Sequence, residues 1–239
     1  MRTQMLFGAD AMAKLKKSKL AVFGIGGVGG YAVEALVRGG IGALDLFDGD
    51  VVEPTNINRQ LHALPKTVGR PKVEAAKERA LEINPDLEVN AHKLFFLPEN
   101  SGNIDFAGYD YIIDAIDTIS GKLELVLRAC EYGVPIICSM AAGNKVDPSA
   151  FRVADIYETS ICPIAKVMRR ELKKRGVERL KVVYSTEPPV VPEGIDADAA
   201  ESMAKNKKRI PGSNSFVPPV AGFIIAGEVI KDLIGYGKK

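Results

Sequence analysis

The sequence predicts a doubly wound α/β fold on a mostly parallel sheet, and three observations carry that expectation. Short apolar runs rich in β-branched residues alternate with stretches of helical period, the pattern of successive βαβ units. The first run, Lys19-Leu-Ala-Val-Phe-Gly-Ile25, breaks into Gly24-Ile-Gly26-Gly27-Val-Gly29-Gly30 before a helix resumes at Tyr31. The second, Ala43 to Asp48, ends in a carboxylate 19 residues past Gly29. A Rossmann-like fold places its ribose-binding acid there. With 239 residues, 46% of them hydrophobic, the chain can bury one sizeable core, so a single domain over 1–239 is expected.

Residues 1–18 read as a lead-in that closes with a short amphipathic helix through Lys17. In the turn after the first strand, Gly24 permits the reversal and Gly26 lets backbone approach a phosphate. Gly29 lets the next helix pack closely, and that helix offers its free N–H groups to an anion. Gly49 to Pro71 is polar and irregular, and a loop of that length needs a functional reason. Lys72 to Ile83 has helical spacing, and Leu87 to Leu94 alternates as a strand. Tyr109 to Ile116 is an apolar strand ending in acids, then a helix runs to about Tyr132 and a buried strand from Val134 to Ser139. Strands Phe151–Ile156 and Leu180–Ser185 flank a helix from about Pro163 to Arg175. Glu187 to Ser215 lacks periodicity and carries Pro188, Pro189, Pro192 and Pro211, which predicts a mobile crossover loop. A closing helix from about Pro219 to Leu233 is expected to bury Val220, Phe223, Ile224, Ile225 and Val229, with Gly222 and Gly227 allowing close packing.

Cys130, Cys138 and Cys162 stand at unrelated spacings with no Cys-x-x-Cys, and His62 and His92 are isolated. That pattern argues against a zinc site and a disulfide framework, and leaves Cys130 and Cys138 as small buried apolar residues. No secretory signal opens the chain, and the longest apolar stretch, Phe216 to Ile234, is interrupted by prolines and charges. The expectation is a cytoplasmic protein with no membrane partner. The net charge of +2 is unevenly spread. Eight basic residues against two acidic ones give 166–181 a charge of +6, leaving −4 elsewhere. Lys166, Arg169, Arg170, Lys173 and Lys174 recur at helical spacing, the footprint of a polyanion-binding face; the plainer reading is a solvated helix face.

The groups following the glycine turn separate two kinds of nucleotide. Asn56, Arg59 and Gln60 follow Asp48, Lys72 opens the next helix, and Asp114-Ala-Ile-Asp117 ends a strand. Hydride transfer needs only the two phosphates of a dinucleotide neutralised. ATP brings roughly four negative charges, which calls for an Arg/Lys clamp and Mg2+ on a carboxylate. Arg59 and Lys72 suit a departing pyrophosphate, Asp117 the metal and Asp48 the ribose. Singly, each is equally an ordinary loop charge or cap; the ordered set is not.

The chain resembles the ATP-dependent activating enzymes related to ubiquitin activation and to thiamine and molybdopterin biosynthesis. The match lies in Gly24-x-Gly26-Gly27-x-Gly29, Asp48-Gly-Asp50, Asn56-Ile-Asn-Arg59-Gln60, Lys72 and Asp114-x-x-Asp117, and extends over about residues 2 to 235. The resemblance implies an adenylating homodimer in which Arg2 reaches the partner's ATP. Arg2-Thr-x-Met-Leu-Phe-Gly8, Asn58-Arg-Gln-Leu-His-Ala63, Val183-Tyr-Ser-Thr-Glu187 and Pro218-Pro-Val-Ala-Gly222 look like the branch of tRNA threonylcarbamoyladenosine dehydratases. That branch adenylates the carboxylate of a modified tRNA adenosine, whose side chain then closes into a ring with loss of AMP. The alternative is an adenylyltransferase for a ubiquitin-like sulfur carrier. Those enzymes commonly carry paired Cys-x-x-Cys motifs, absent here, and several relatives carry a cysteine in the crossover loop, which has none between Glu187 and Ser215. Cys162 stands where the dehydratase branch is expected to carry an acid. A monovalent cation and a sulfur-transfer protein partner stay open.

Overall fold

The computed structural model describes residues 2–191 and 211–237, and its seven-stranded sheet has the order β3-β2-β1-β4-β5-β7-β6. The strands are β1 (Lys19–Phe23), β2 (Ala43–Phe47), β3 (Glu88–His92), β4 (Tyr111–Asp114), β5 (Ile136–Ser139), β6 (Phe151–Asp155) and β7 (Lys181–Ser185). All neighbouring pairs are parallel except β6 with β7. The helices are α1 (Arg2–Phe7), α2 (Ala9–Lys17), α3 (Gly29–Gly39), α4 (Lys72–Ile83), α5 (Ile119–Tyr132), α6 (Pro163–Lys174) and α7 (Val217–Ile234). The chain lays β1, β2 and β3 outward to one side and begins β4 on the other side of β1. The crevice between β1 and β4 is therefore the switch point, where open α/β sheets take ligands. Register aligns the strand ends there, since Phe23 pairs with both Phe47 and Asp114. The residues that follow, Gly24, Asp48 and Ala115, leave the sheet at one level.

The five inner strands, β2, β1, β4, β5 and β7, are covered on both faces, which explains their nearly continuous apolar runs. On one face Leu20, Val22, Leu44, Leu46 and Ile113 meet Leu36 of α3 and Ile225 of α7. On the other, Phe23 stacks on Phe47 with ring centroids 4.4 Å apart, beside Phe106, Ile112 and Leu125. A further apolar cluster under α6 joins Ile156, Cys162, Ala165, Met168, Leu172 and Val182. No helix among the described residues is long and apolar enough to cross a membrane.

Several expectations change. The lead-in is two helices, α1 and α2, parted at Gly8 with φ +86°. Strands β3 and β4 are shorter than their apolar runs, the flanking residues going to turns. On α7 the buried stripe is Ala221, Gly222, Ile225, Ala226 and Val229; Phe223 falls outside it and stands half exposed, edge-on to Tyr31. Close packing of α3 on α7 rests on Gly222, where a Cβ would lie 2.4 Å from Val28 O, and not on Gly227, which has nothing within 4 Å. Cys130 is exposed rather than buried, because α5 turns it away from the sheet. Of the expected crossover loop, 192–210 lie outside the described residues.

Candidate nucleotide site

At the switch point the glycines take up the geometry their spacing implies. Gly24 has φ +87°, and a Cβ there would lie 2.6 Å from Ala115 O. A Cβ on Gly29 would sit 1.8 Å from Gly24 O, so α3 can begin against the turn only without a side chain. A Cβ on Gly26 would meet only Gln60 Nε2, at 3.9 Å. The backbone is thus open where an anion would approach the start of α3.

Asp48 closes this turn from β2. Its Oδ2 accepts from Ile25 N at 2.7 Å and its Oδ1 from Asp50 N at 2.9 Å. Burial raises its carboxyl above the usual range, and the nearby Lys72 charge opposes that. Lys72, buried at the first position of α4, reaches Asp50 Oδ2 at 2.7 Å. Arg59 lies across the turn, its Cγ 3.4 Å from the Cβ position of Gly27, and donates through Nη1 to Thr55 O and Asn58 Oδ1. Asn58 Nδ2 in turn donates to Ser213 O at 3.1 Å. Gln60 is buried with Oε1 unpartnered. Asn56 is buried too, its Oδ1 accepting from Glu53 N at 3.1 Å to cap the 3-10 turn Pro54–Asn56. Its side chain frames the loop instead of facing the opening. Asp117 is exposed in the turn between β4 and α5, two residues past the Ala115 that walls Gly24. One hard carboxylate beside phosphate oxygens and water is a donor set that suits Mg2+. Asp114, by contrast, is wholly buried against Lys122.

Other expected residues lie apart from the turn. Arg2 is exposed at the start of α1, whose Met5 and Leu6 are 85% and 77% exposed and whose Phe7 packs edge-on to Tyr236 beyond α7. On α6, Lys166, Arg170, Lys173 and Lys174 are exposed, while Arg169 turns inward and donates to Thr159 O at 2.8 Å. Glu171 collects Arg170, Lys174 and Arg175, and these partners, Arg175 foremost, hold its carboxyl down at about 2. Cys162 is only 2% exposed.

Two residues of the site escape the sequence reading. Phe95, 60% exposed, lays its ring against Gly49, whose Cβ would fall 2.4 Å from Phe95 Cδ2. An aromatic just past a strand end was the available signal, hidden by the apolar run Leu94 to Leu97. His62 is buried with Nε2 unpartnered, and burial, helped by the Lys72 charge, lowers its pKa to about 4.

Comparison with known proteins identifies the family. The ThiF family model matches residues 1–239. The tRNA threonylcarbamoyladenosine dehydratase of Bacillus subtilis (strain 168) is 45% identical over 237 residues, covering 98% of this chain and 93% of the relative. That of Escherichia coli (strain K12) is 34% identical over 246 residues, covering 97% and 92%. A crystal structure of the E. coli dehydratase in complex with ATP matches with a TM-score of 0.86 at 33% identity, covering 98% of this chain and 93% of that one. This chain belongs to the ThiF family, in its branch of tRNA threonylcarbamoyladenosine dehydratases.

Proposed function

We propose that the chain, acting as one adenylation domain, is an ATP-dependent dehydratase of threonylcarbamoyladenosine in tRNA. The observation that carries this is Arg59 laid over an open glycine turn, with Lys72 at the start of α4 paired to Asp50 just past β2, and Asp117 just past β4. Asp48 takes the ribose hydroxyls and the exposed Phe95 ring takes the adenine face. The backbone at Gly26 and Gly27 takes the phosphates. Asn56 and Gln60 hold the loop that carries Arg59. Mg2+, held through Asp117, would neutralise phosphate charge as pyrophosphate leaves.

The substrate carboxylate attacks the α-phosphorus, the bond to pyrophosphate breaks, and Arg59 and Lys72 take up the charge of the leaving group. Lys72 is available for this because Asp50, its present partner, is exposed and readily resolvated. The product is a mixed anhydride. A nitrogen of the same side chain then attacks the acyl carbon and loses its proton, and the bond to AMP breaks as the ring closes. Holding both groups on one side chain supplies a large effective concentration, so no cysteine relay is needed.

The family resemblance and the exposed apolar α1 support a homodimer in which Arg2 completes the partner's site. The exposed cations of α6 suit the tRNA backbone. A monovalent cation and a sulfur-transfer protein stay outside this reading. A carrier-activating enzyme that goes on to form a thioester or persulfide requires a reachable thiolate, and the candidate for it, Cys162, is closed off in an apolar cluster. Mass spectrometry of tRNA nucleosides after incubation with ATP tests both readings. Wild-type protein and folded Cys162→Ser are each expected to yield the nucleoside lighter by one water. Loss of conversion in folded Cys162→Ser would move the assignment to thioester or sulfur chemistry.

A further inference from the structure

Beneath the site lies an ion pair that the proposed reaction does not use. Lys122, in the first turn of α5, places Nζ 2.9 Å from Asp114 Oδ2, and the two side chains are 1% and 0% exposed. Burying both charges is costly. Replacing such a pair by apolar side chains of similar volume is commonly neutral or stabilising, so fold stability alone gives little reason for it. Cys138, on the neighbouring strand, adds a hydrogen bond to Asp114 and is raised well above its ordinary range, chiefly by burial.

What an apolar pair cannot do is hold backbone, and here the pair holds a turn at both ends. Asp114 Oδ1 accepts from Ile116 N at 3.2 Å. Ala115 N donates to Phe23 O at 2.8 Å, which fixes the carbonyl of Ala115 against Gly24. At the far end Lys122 N donates to Thr118 O at 3.0 Å while its side chain returns to Asp114. Asp117 lies between these anchors, exposed, with no hydrogen bond or ion pair of its own among the described residues. Its position is therefore set by the turn and not by its own side chain. The Lys122 ammonium compensates the buried Asp114 carboxylate at Oδ2 while Oδ1 accepts from Ile116 N.

We propose that Lys122 is a positioning residue for the Asp117 carboxylate, acting through Asp114 on the 114–118 turn. The proposal rests on the reading that Asp117 holds the metal of ATP. Carboxylate ligands oriented by such outer partners typically lose 10- to 100-fold in metal affinity when the partner is removed.

The test is an Asp114→Val/Lys122→Met double variant, with Asp117→Asn as reference. Mn2+ binding in the presence of ATP is followed by electron paramagnetic resonance, alongside ATP binding in EDTA and thermal melting. The double variant is expected to stay folded, to bind ATP in EDTA as wild type does, and to bind Mn2+ at least ~10-fold more weakly. Wild-type Mn2+ affinity in the folded double variant, when Asp117→Asn has lost it, overturns the positioning role alone. Unchanged affinity in Asp117→Asn overturns the metal reading and this proposal with it. Should the double variant not fold, Lys122→Gln, whose amide still donates to Asp114, gives the same decision. Weakened Mn2+ binding supports the proposal, and wild-type binding in folded protein overturns it.

Discussion

In the proposed mechanism Arg59 and Asp117 bear on charge that develops only as pyrophosphate departs, so removing either is expected to lower turnover more than it weakens ground-state binding. Arg59→Ala and Asp117→Ala are each expected to cut AMP formation by ~10²-fold or more, with circular dichroism unchanged. Near-normal turnover in either would remove that role. His62 gives a pH signature. Its folded pKa of about 4 lies below its ordinary 6.5, so between those values the unfolded chain binds a proton that the folded chain refuses. Stability from this group is complete above 6.5 and is lost as pH falls towards 4, a change of about 3 kcal/mol in all. Urea midpoints from pH 7 to 4 should fall less steeply in His62→Gln than in wild type. Of these residues, Arg59, Asp48 and Lys72 were legible because charge at fixed offsets from a glycine turn has few other uses. His62 and Phe95 were not, since exposure and burial in a loop depend on strands far off in sequence.

On α6 the cations divide by partner. Lys166 and Lys173 have no ion-pair partner among the described residues, whereas Arg170, Lys174 and Arg175 share Glu171. Lys166→Glu/Arg170→Glu/Lys173→Glu is expected to weaken tRNA binding and to reduce its salt slope by about one for each phosphate left without its cation, with ATP affinity unchanged. Filter binding at several salt concentrations measures both, and an unchanged slope would return α6 to a solvated face. Periodicity revealed this helix and its basic side but could not show that Arg169 turns in to Thr159. That choice is made by a loop the helix packs against. The same limit explains Phe223 on α7, where the buried stripe is selected by small residues that admit α3 and not by hydrophobicity.

For the assembled enzyme, the proposed dimer predicts that sites recover by subunit exchange. Mixing Arg2→Ala with Asp117→Ala protein should restore part of the activity, because one of the two sites in each heterodimer is then intact. No recovery after demonstrated exchange would argue against Arg2 acting on the partner's ATP. The sheet order was foreseeable as doubly wound from the βαβ alternation, yet the antiparallel β6 was not, since a short strand carries no mark of its direction.

That reversed strand has a bearing on how such an enzyme can diverge. From Phe151 to Ser185 the chain leaves the sheet's edge, builds α6 over an apolar cluster separate from the one between the glycine turn and α7, and returns beside its own departure. Recharging the exposed side of α6, at Lys166, Arg170, Lys173 and Lys174, changes no residue that lines the crevice between β1 and β4. On the proposed reading that α6 meets the tRNA, a lineage can therefore redraw which RNA it grips while inheriting its phosphate chemistry intact.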